Sequence, residues 1–295
     1  MSFKGYYNTI SEYISDVKLV FDFDKNLSGI SYYINHNGSL TKYLSSSHIV
    51  RDRQMLKDNP IWMEFQKDFN KKIIVGNENL WFYCHESVWS PSIDAAFLID
   101  VLLNKENIDK SNIETVLDFG CGTGVMGISI AKLNAKIKNV NLIDSNESAL
   151  FSTFINVIGN RLACSYSISN VLVEGFKCDL GIITPYYFPI IKEFEANHEQ
   201  AIIYAGIESA KLTNIVANCS ALTYFIYSST TQESYLKNLD FDFEVVDELL
   251  VPFTLGDNVS NQSFLNTALK IGVLIINEKS QFKYWHKISI GKIKK

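Results

Sequence analysis

The sequence predicts an α/β fold, a mostly parallel sheet with helices on both faces, preceded by an α+β region at the N-terminus. Three observations predict it. Short, mainly apolar strand-like runs recur from about Val116 onward with helical stretches between them, the pattern of strands buried on both faces. One of these runs breaks into a glycine-rich turn that opens a helix. Residues 1–105 show neither feature and mix polar with aromatic residues, which marks them as a separate accessory region.

The composition suits such a fold. The chain has 295 residues, 47% hydrophobic, 20% charged and 13% aromatic, enough to bury a full core. Its net charge is −5 and its pI about 5.6, so no overall positive field draws it to nucleic acid or anionic membrane. Only three arginines occur, Arg51, Arg53 and Arg161, leaving few bidentate phosphate forks. Five scattered cysteines (Cys84, Cys121, Cys164, Cys178, Cys219) form no C-x-x-C pair and read as free thiols of a reducing compartment. No signal-peptide core and no run of 18 apolar residues occurs, so a cytoplasmic protein without a membrane partner is expected.

Ile10–Val20 is helix-like, as is the stretch near His48–Phe69, which Pro60 ends or kinks. KIIVGNENLWFYC reads as a hairpin turning at Gly76–Asn79. SPSIDAAFLIDVLL, with its serine cap and first-turn proline, reads as a helix from Pro91 to about Leu103. The domain boundary is placed inside or just before this helix, and the two regions are taken as 1–105 and 106–295. Strands are expected at 115–119, 140–144, 180–184, 201–205 and 222–228, then at 243–253 and 272–277, with FKYWHKISI closing an antiparallel edge hairpin.

The stretch VLDFGCGTGVMGISIA, residues 116–131, is the most informative. A strand ends at Phe119, glycines fall at 120, 122 and 124, and a helix begins near Val125. Such a helix start offers N–H groups and partial positive charge to an anion. Gly122, Gly124 and Gly127 also satisfy G-x-G-x-x-G, which dinucleotide-binding loops share. Asp144 follows Gly124 by 20 residues at the end of the next strand, where both cofactor types use an acid on ribose hydroxyls. Asp118 discriminates between them, because it completes D-x-G-x-G-x-G.

That arrangement resembles motif I of the class I S-adenosylmethionine-dependent methyltransferases. The resemblance implies a Rossmann-like seven-stranded sheet in residues 106–295 and S-adenosyl-L-methionine as cofactor. It also implies that the loop around Asp118, Gly120, Cys121, Gly122 and Gly124 holds the methionine carboxylate through its amides. DSNESALFSTFIN, 144–156, is similar to the family's acid, then Ala-Leu on a helix, then Asn; Asp144 and Ser145 would meet the ribose. A helix N-cap is the structural role open to Asp144. ISNVLVEGFKCDLGIITPYY, 168–187, resembles most the release-factor glutamine, rRNA guanine-N2 and tRNA adenine-N6 enzymes. By that likeness Asn170 would contact the adenine amino group and the Val171 amide a ring nitrogen.

The catalytic motif of those relatives is Asn-Pro-Pro-aromatic; here Thr184, Pro185, Tyr186 and Tyr187 stand in its place. In the family motif an amide oxygen and a backbone carbonyl accept the target NH₂ hydrogens, while an aromatic ring packs on the planar group. Thr184 accepts one hydrogen bond but is no carboxamide. Upstream, HESVWSPSID resembles the segment lining the active-site mouth, with Trp89 as a wall and His85 as a base for a hydroxyl acceptor. The histidines show no metal-ligand spacing.

The acidic balance and the missing asparagine point to a small-molecule acceptor methylated on N or O. The alternatives are N-methylation of RNA or of a protein side chain, and a non-catalytic partner subunit of the same fold. Lysines 42, 57, 67, 71 and 72 would favour the nucleic-acid reading if they lined one groove.

Overall fold

The fold is described from a computed structural model, which describes residues 32–34, 40–43, 69–75, 78–85, 88, 93–185, 198–252, 262–272, 274–276 and 284–295. The helices expected at Ile10–Val20 and near His48–Phe69 lie outside these residues, apart from Phe69, which begins a strand. The chain divides into two compact units, Met1–Ile182 and Ile183–Lys295.

In the first unit, β1 (Tyr32–Ile34) and β2 (Leu40–Tyr43) pair antiparallel. β3 (Phe69–Val75) and β4 (Glu78–Tyr83) form the expected hairpin, with Val75 paired to Glu78. α1 (Ile93–Asp100) continues as a π-helical turn through Val101–Lys105, close to the expected helix. Then β5 (Thr115–Phe119), α2 (Val125–Leu133), β6 (Asn139–Ile143), α3 (Glu147–Gly159), β7 (Ser165–Ser169) and β8 (Cys178–Ile183) alternate.

The second unit holds α4 (His198–Cys219), β9 (Ser220–Ser228), α5 (Gln232–Leu236), β10 (Phe243–Pro252), α6 (Gln262–Lys270), β11 (Ile275–Ile276) and β12 (Tyr284–Ile293). β12 lies between β9 and β10 and is antiparallel to both, so β10, not the expected closing hairpin, ends the strand path; of that hairpin only the short pairing of β11 with β12 forms. Its core is an aromatic cluster of Phe225, Tyr227, Tyr235 and Phe243. Tyr235 is fully buried, and its hydroxyl is satisfied by Thr213 Oγ1 at 2.7 Å.

The strand order of the sheet is β10-β12-β9-β8-β5-β6-β7, a seven-stranded path with β11 on β12. β5–β6 and β6–β7 are parallel and unshifted in register. In their middles Val116, Leu117, Val140 and Leu142 are at 0% exposure, as a covered parallel sheet requires, with Asp118 and Asn141 buried beside them. The fold is the expected α/β, Rossmann-like one. Two elements differ. The run AIIYA, 201–205, is not a strand but part of the 22-residue α4, and the strand beside β6 is instead SYSIS, β7. A five-residue apolar run carries no period of its own, and so few residues do not tell helix from strand.

Two features position the glycine turn. The chain runs from β5 outward to β6 and β7, then returns to β8 on the other side of β5. Such a reversal opens a crevice at the carboxyl ends of the strands, here beyond Phe119. At the opposite end of β5, Asp179 Oδ2 accepts from Glu114 N, Thr115 N and Thr115 Oγ1 at 2.9, 2.9 and 2.8 Å. Burial works against ionising Asp179, yet these donors outweigh it and hold the carboxyl below its usual range.

Candidate active site

The turn beyond β5 is built from glycines in left-handed backbone, with φ of 75° at Gly120, 56° at Gly122 and 74° at Gly124. Gly124 has a second reason to be glycine. A Cβ there would meet Ile128 Cδ1 at 2.9 Å and Thr153 Cγ2 at 3.1 Å. At Gly122 a Cβ would meet nothing within 4 Å, so this is the side on which the loop stands open.

The loop amides are largely engaged within the chain. Gly120 and Cys121 both donate to Ile143 O, at 2.7 and 2.9 Å, and Gly124 donates to Cys121 O at 2.7 Å. Gly122 N donates to Asp144 Oδ2 at 2.8 Å. The amides of these four residues therefore shape the loop, and its outward side is the open side of Gly122 and the start of α2. Cys121 is buried, and desolvation, then the Asp118 and Asp144 charges, push its thiol well above the ordinary range. No thiolate chemistry is open to it.

Asp144 stands just past β6 rather than within it, half-buried. Its other oxygen accepts from Asn146 N at 2.9 Å, so the carboxylate joins the loop to the start of α3. The N-cap of α3 is Asn146, whose side chain accepts from Ser148 N; Asp144 is not that cap. The carboxylate keeps acceptor capacity beyond these two bonds, and neighbouring Ser145 is exposed.

Asp118 is fully buried on β5. Oδ2 accepts from Gly127 N at 2.8 Å, while Oδ1 has no hydrogen-bond partner. Desolvation, with a smaller push from the Asp144 charge, raises its carboxyl to about 7 against the bond from Gly127. An orphaned acid oxygen and an open glycine beside a second carboxylate fit a ligand bearing hydroxyl or ammonium donors, such as S-adenosyl-L-methionine.

α3 supplies residues that sequence reasoning did not assign. It is buried almost all round, because the sheet lies on one side and the strand β4 packs on another. Its polar residues Ser152, Thr153 and Asn156 are consequently inside, and each is satisfied. Thr153 Oγ1 donates to Gly122 O at 2.9 Å. Ser152 Oγ accepts from His85 N at 3.2 Å and donates to Ser148 O. The Asn156 carboxamide accepts from Tyr83 N at 2.6 Å and donates to both Tyr83 O and Thr123 O at 2.8 Å. Asn156 was visible only as the asparagine closing the family-like pattern, and burial was the missing signal.

The remaining expected residues divide. Asn170 and Val171 lie exposed in the turn after β7, Val171 at 60%. The Val171 N–H, expected on an adenine nitrogen, donates to Ser169 Oγ at 3.1 Å. His85 is half-buried, held through its backbone to α3. Thr184 and Pro185 directly follow β8, half-buried and buried respectively. Trp89, Tyr186 and Tyr187 lie outside the described residues. Among the described residues no group of three or more His, Cys, Asp or Glu is arranged to hold a metal, and no helix is long and apolar enough to cross a membrane.

The model of the methyltransferase small domain family matches residues 79–211. A putative protein N5-glutamine methyltransferase of Methanocaldococcus jannaschii is 26% identical over 196 residues, 61% of this chain and 94% of that protein. A ribosomal protein L11 methyltransferase of Laribacter hongkongensis is 28% identical over 99 residues, 32% of this chain. The match spans about a third of that relative's own length. A solved 16S rRNA N2 methyltransferase of T. thermophilus, in complex with AdoMet and guanosine, gives a TM-score of 0.45 at 12% identity, over 74% of this chain and 49% of that one. The D-x-G-x-G-x-G loop and its two carboxylates thus lie within the segment, residues 79–211, that matches the methyltransferase small domain family.

Proposed function

We propose that this protein transfers the methyl group of S-adenosyl-L-methionine to a nitrogen of a protein side chain. The observation that carries the transfer is the Asp144 carboxylate bonded to the Gly122 amide, an acid fixed at the open side of the glycine loop. The bound cofactor supplies an electrophilic methyl on a sulfonium. The chain's task is then orientation and the acceptance of protons. Asp144 accepts from the ribose hydroxyls, Asp118 Oδ1 offers a buried acceptor, and Asn170 and Val171 border the adenine. Thr184 accepts one hydrogen of the target nitrogen, Pro185 holds the backbone carbonyl beside it, and Tyr186 and Tyr187 pack on the planar group. As the acceptor nitrogen's lone pair forms the new N–C bond, the S–C bond would break with its electron pair returning to sulfur, leaving S-adenosylhomocysteine, and the nitrogen would release one proton to solvent.

A protein acceptor is favoured by the relative spanned over 94% of its length, whose name makes it a putative protein N5-glutamine methyltransferase. The L11 enzyme also acts, by name, on a protein. The small-molecule acceptor expected from the net charge of −5 has no counterpart among these relatives. That charge instead weighs against RNA. We assign acceptor recognition to residues 1–105 and 243–295, and methyl transfer to the core of 106–295.

The test is calorimetric titration with S-adenosylhomocysteine, with NAD as control, followed by transfer of a labelled methyl group to cell extract. Binding with protease-sensitive label supports the proposal. Nuclease-sensitive or small-molecule label overturns the acceptor class, and binding without label moves the protein to a non-catalytic partner subunit.

A further inference from the structure

Asn156 makes three hydrogen bonds to backbone groups on two segments distant in sequence. One segment is the exit of β4, at Tyr83; the other is the middle of the glycine loop, at Thr123. The side chain is at 0% exposure, so water satisfies none of these groups in its place. Its orientation is fixed by its partners. An N–H faces Oδ1 and two carbonyls face Nδ2, and the reverse assignment would set donor against donor. Only a carboxamide of this length presents one acceptor and two donors at that point. A carboxylate would oppose both carbonyls, and a hydroxyl would reach at most one of them.

The two segments belong to different parts of the proposed site. Thr123 is in the loop that meets the cofactor, whereas Tyr83 leads through Cys84 to His85, where the stretch resembling the mouth of the site begins. Two residues beyond Tyr83, His85 N is tied to Ser152, one turn earlier on the same helix. One face of α3 thus holds the loop through Thr153 and Asn156, and the 83–85 segment through Ser152 and Asn156.

We propose that Asn156 is a positioning residue that couples cofactor occupancy at the glycine loop to the order of residues 83–85, which border the acceptor. The inference rests on the methyltransferase reading. A ligand that tightens the loop tightens Thr123 O on Nδ2, and the same amide group carries that restraint to both backbone groups of Tyr83. Asn156 touches neither reacting atom.

Hydrogen exchange of the full chain, with and without S-adenosylhomocysteine, tests this. In the wild type, saturating ligand should slow exchange about tenfold in both the 118–125 and 80–85 stretches. In Asn156→Asp, ligand should still protect 118–125, with Kd within about fivefold, while protection of 80–85 disappears. Ser152→Ala removes only the His85 anchor; it should unprotect the His85 amide at unchanged affinity, and it serves if Asn156→Asp does not fold. Ligand-dependent protection of 80–85 that survives in folded Asn156→Asp, or of the His85 amide that survives in Ser152→Ala, overturns the proposal, as does a wild type that binds ligand without protecting 80–85. Absence of binding to the wild type overturns the methyltransferase reading itself, a distinct result.

Discussion

The Asn156 carboxamide bonds both backbone groups of Tyr83, accepting from its N–H at 2.6 Å and donating to its carbonyl at 2.8 Å. A side chain thereby does what a neighbouring strand would do, satisfying the end of β4 where strand pairing stops. Asn156→Ala removes three buried hydrogen bonds to backbone groups at once. At roughly 1 kcal/mol for each bond, the loss should be about 3 kcal/mol, read from the urea midpoint. A loss below about 1 kcal/mol would mean that water or a backbone shift replaces the amide.

Gly122 and Gly124 share left-handed backbone but differ in what surrounds them, and their alanine variants should part accordingly. Gly124→Ala drives a methyl into Ile128 and Thr153, so thermal stability should fall by about 2 kcal/mol or more. Gly122→Ala meets open space and should lose only about 1 kcal/mol from backbone strain, yet weaken S-adenosylhomocysteine at least about tenfold by filling the cofactor's side of the loop. Equal affinity in wild type and Gly122→Ala would place the ligand elsewhere.

Asp144 has both a structural and a proposed ligand role, which two variants separate. Asp144→Ala removes the acceptor of Gly122 N and Asn146 N, and cofactor affinity should drop at least about tenfold. Asp144→Asn keeps one acceptor oxygen but loses the charge, and should fall between Asp144→Ala and wild type. Unchanged calorimetric affinity in Asp144→Ala refutes the ribose contact.

The buried Asp118 carboxyl, raised from 3.8 to about 7, makes stability depend on pH. Between these values the folded chain holds a proton that the unfolded chain has released, so stability falls as pH rises through this window and levels off above it. Asp118→Asn does not titrate. Melting curves from pH 4.5 to 7.5 should show the wild type losing ground steadily against Asp118→Asn, and parallel curves would mean that Asp118 is ionised in the folded state throughout.

The glycine loop and its flanking strands were legible because several local signals coincide there: an apolar run, three glycines and an acid on either side. The β3–β4 hairpin and α1 were legible from turn chemistry and capping. SYSIS was not read as β7 because three serines damp its hydropathy; only Tyr166 and Ile168 are buried, on one side of an edge strand. AIIYA was misread because its neighbours settle the matter. Within α4, Ala205 is buried while Ile203 and Tyr204 stand nearly half exposed, a helical alternation invisible in five residues. Ser152, Thr153 and Asn156 were given no packing role because nothing in α3 itself announces that β4 covers it. Long-range packing decided what those polar groups do.

The three donors gathered on Asp179 join β5 and β8 at a sequence separation of 64 residues. Between them lie two helices and two strands, all of which must be threaded before the clasp closes, so loop-closure entropy is lost before its bonds form. Contacts of that kind form late. They add little to the speed of folding and much to the lifetime of the folded chain, which makes Asp179 a brake on opening at the end of the sheet farthest from the glycine loop.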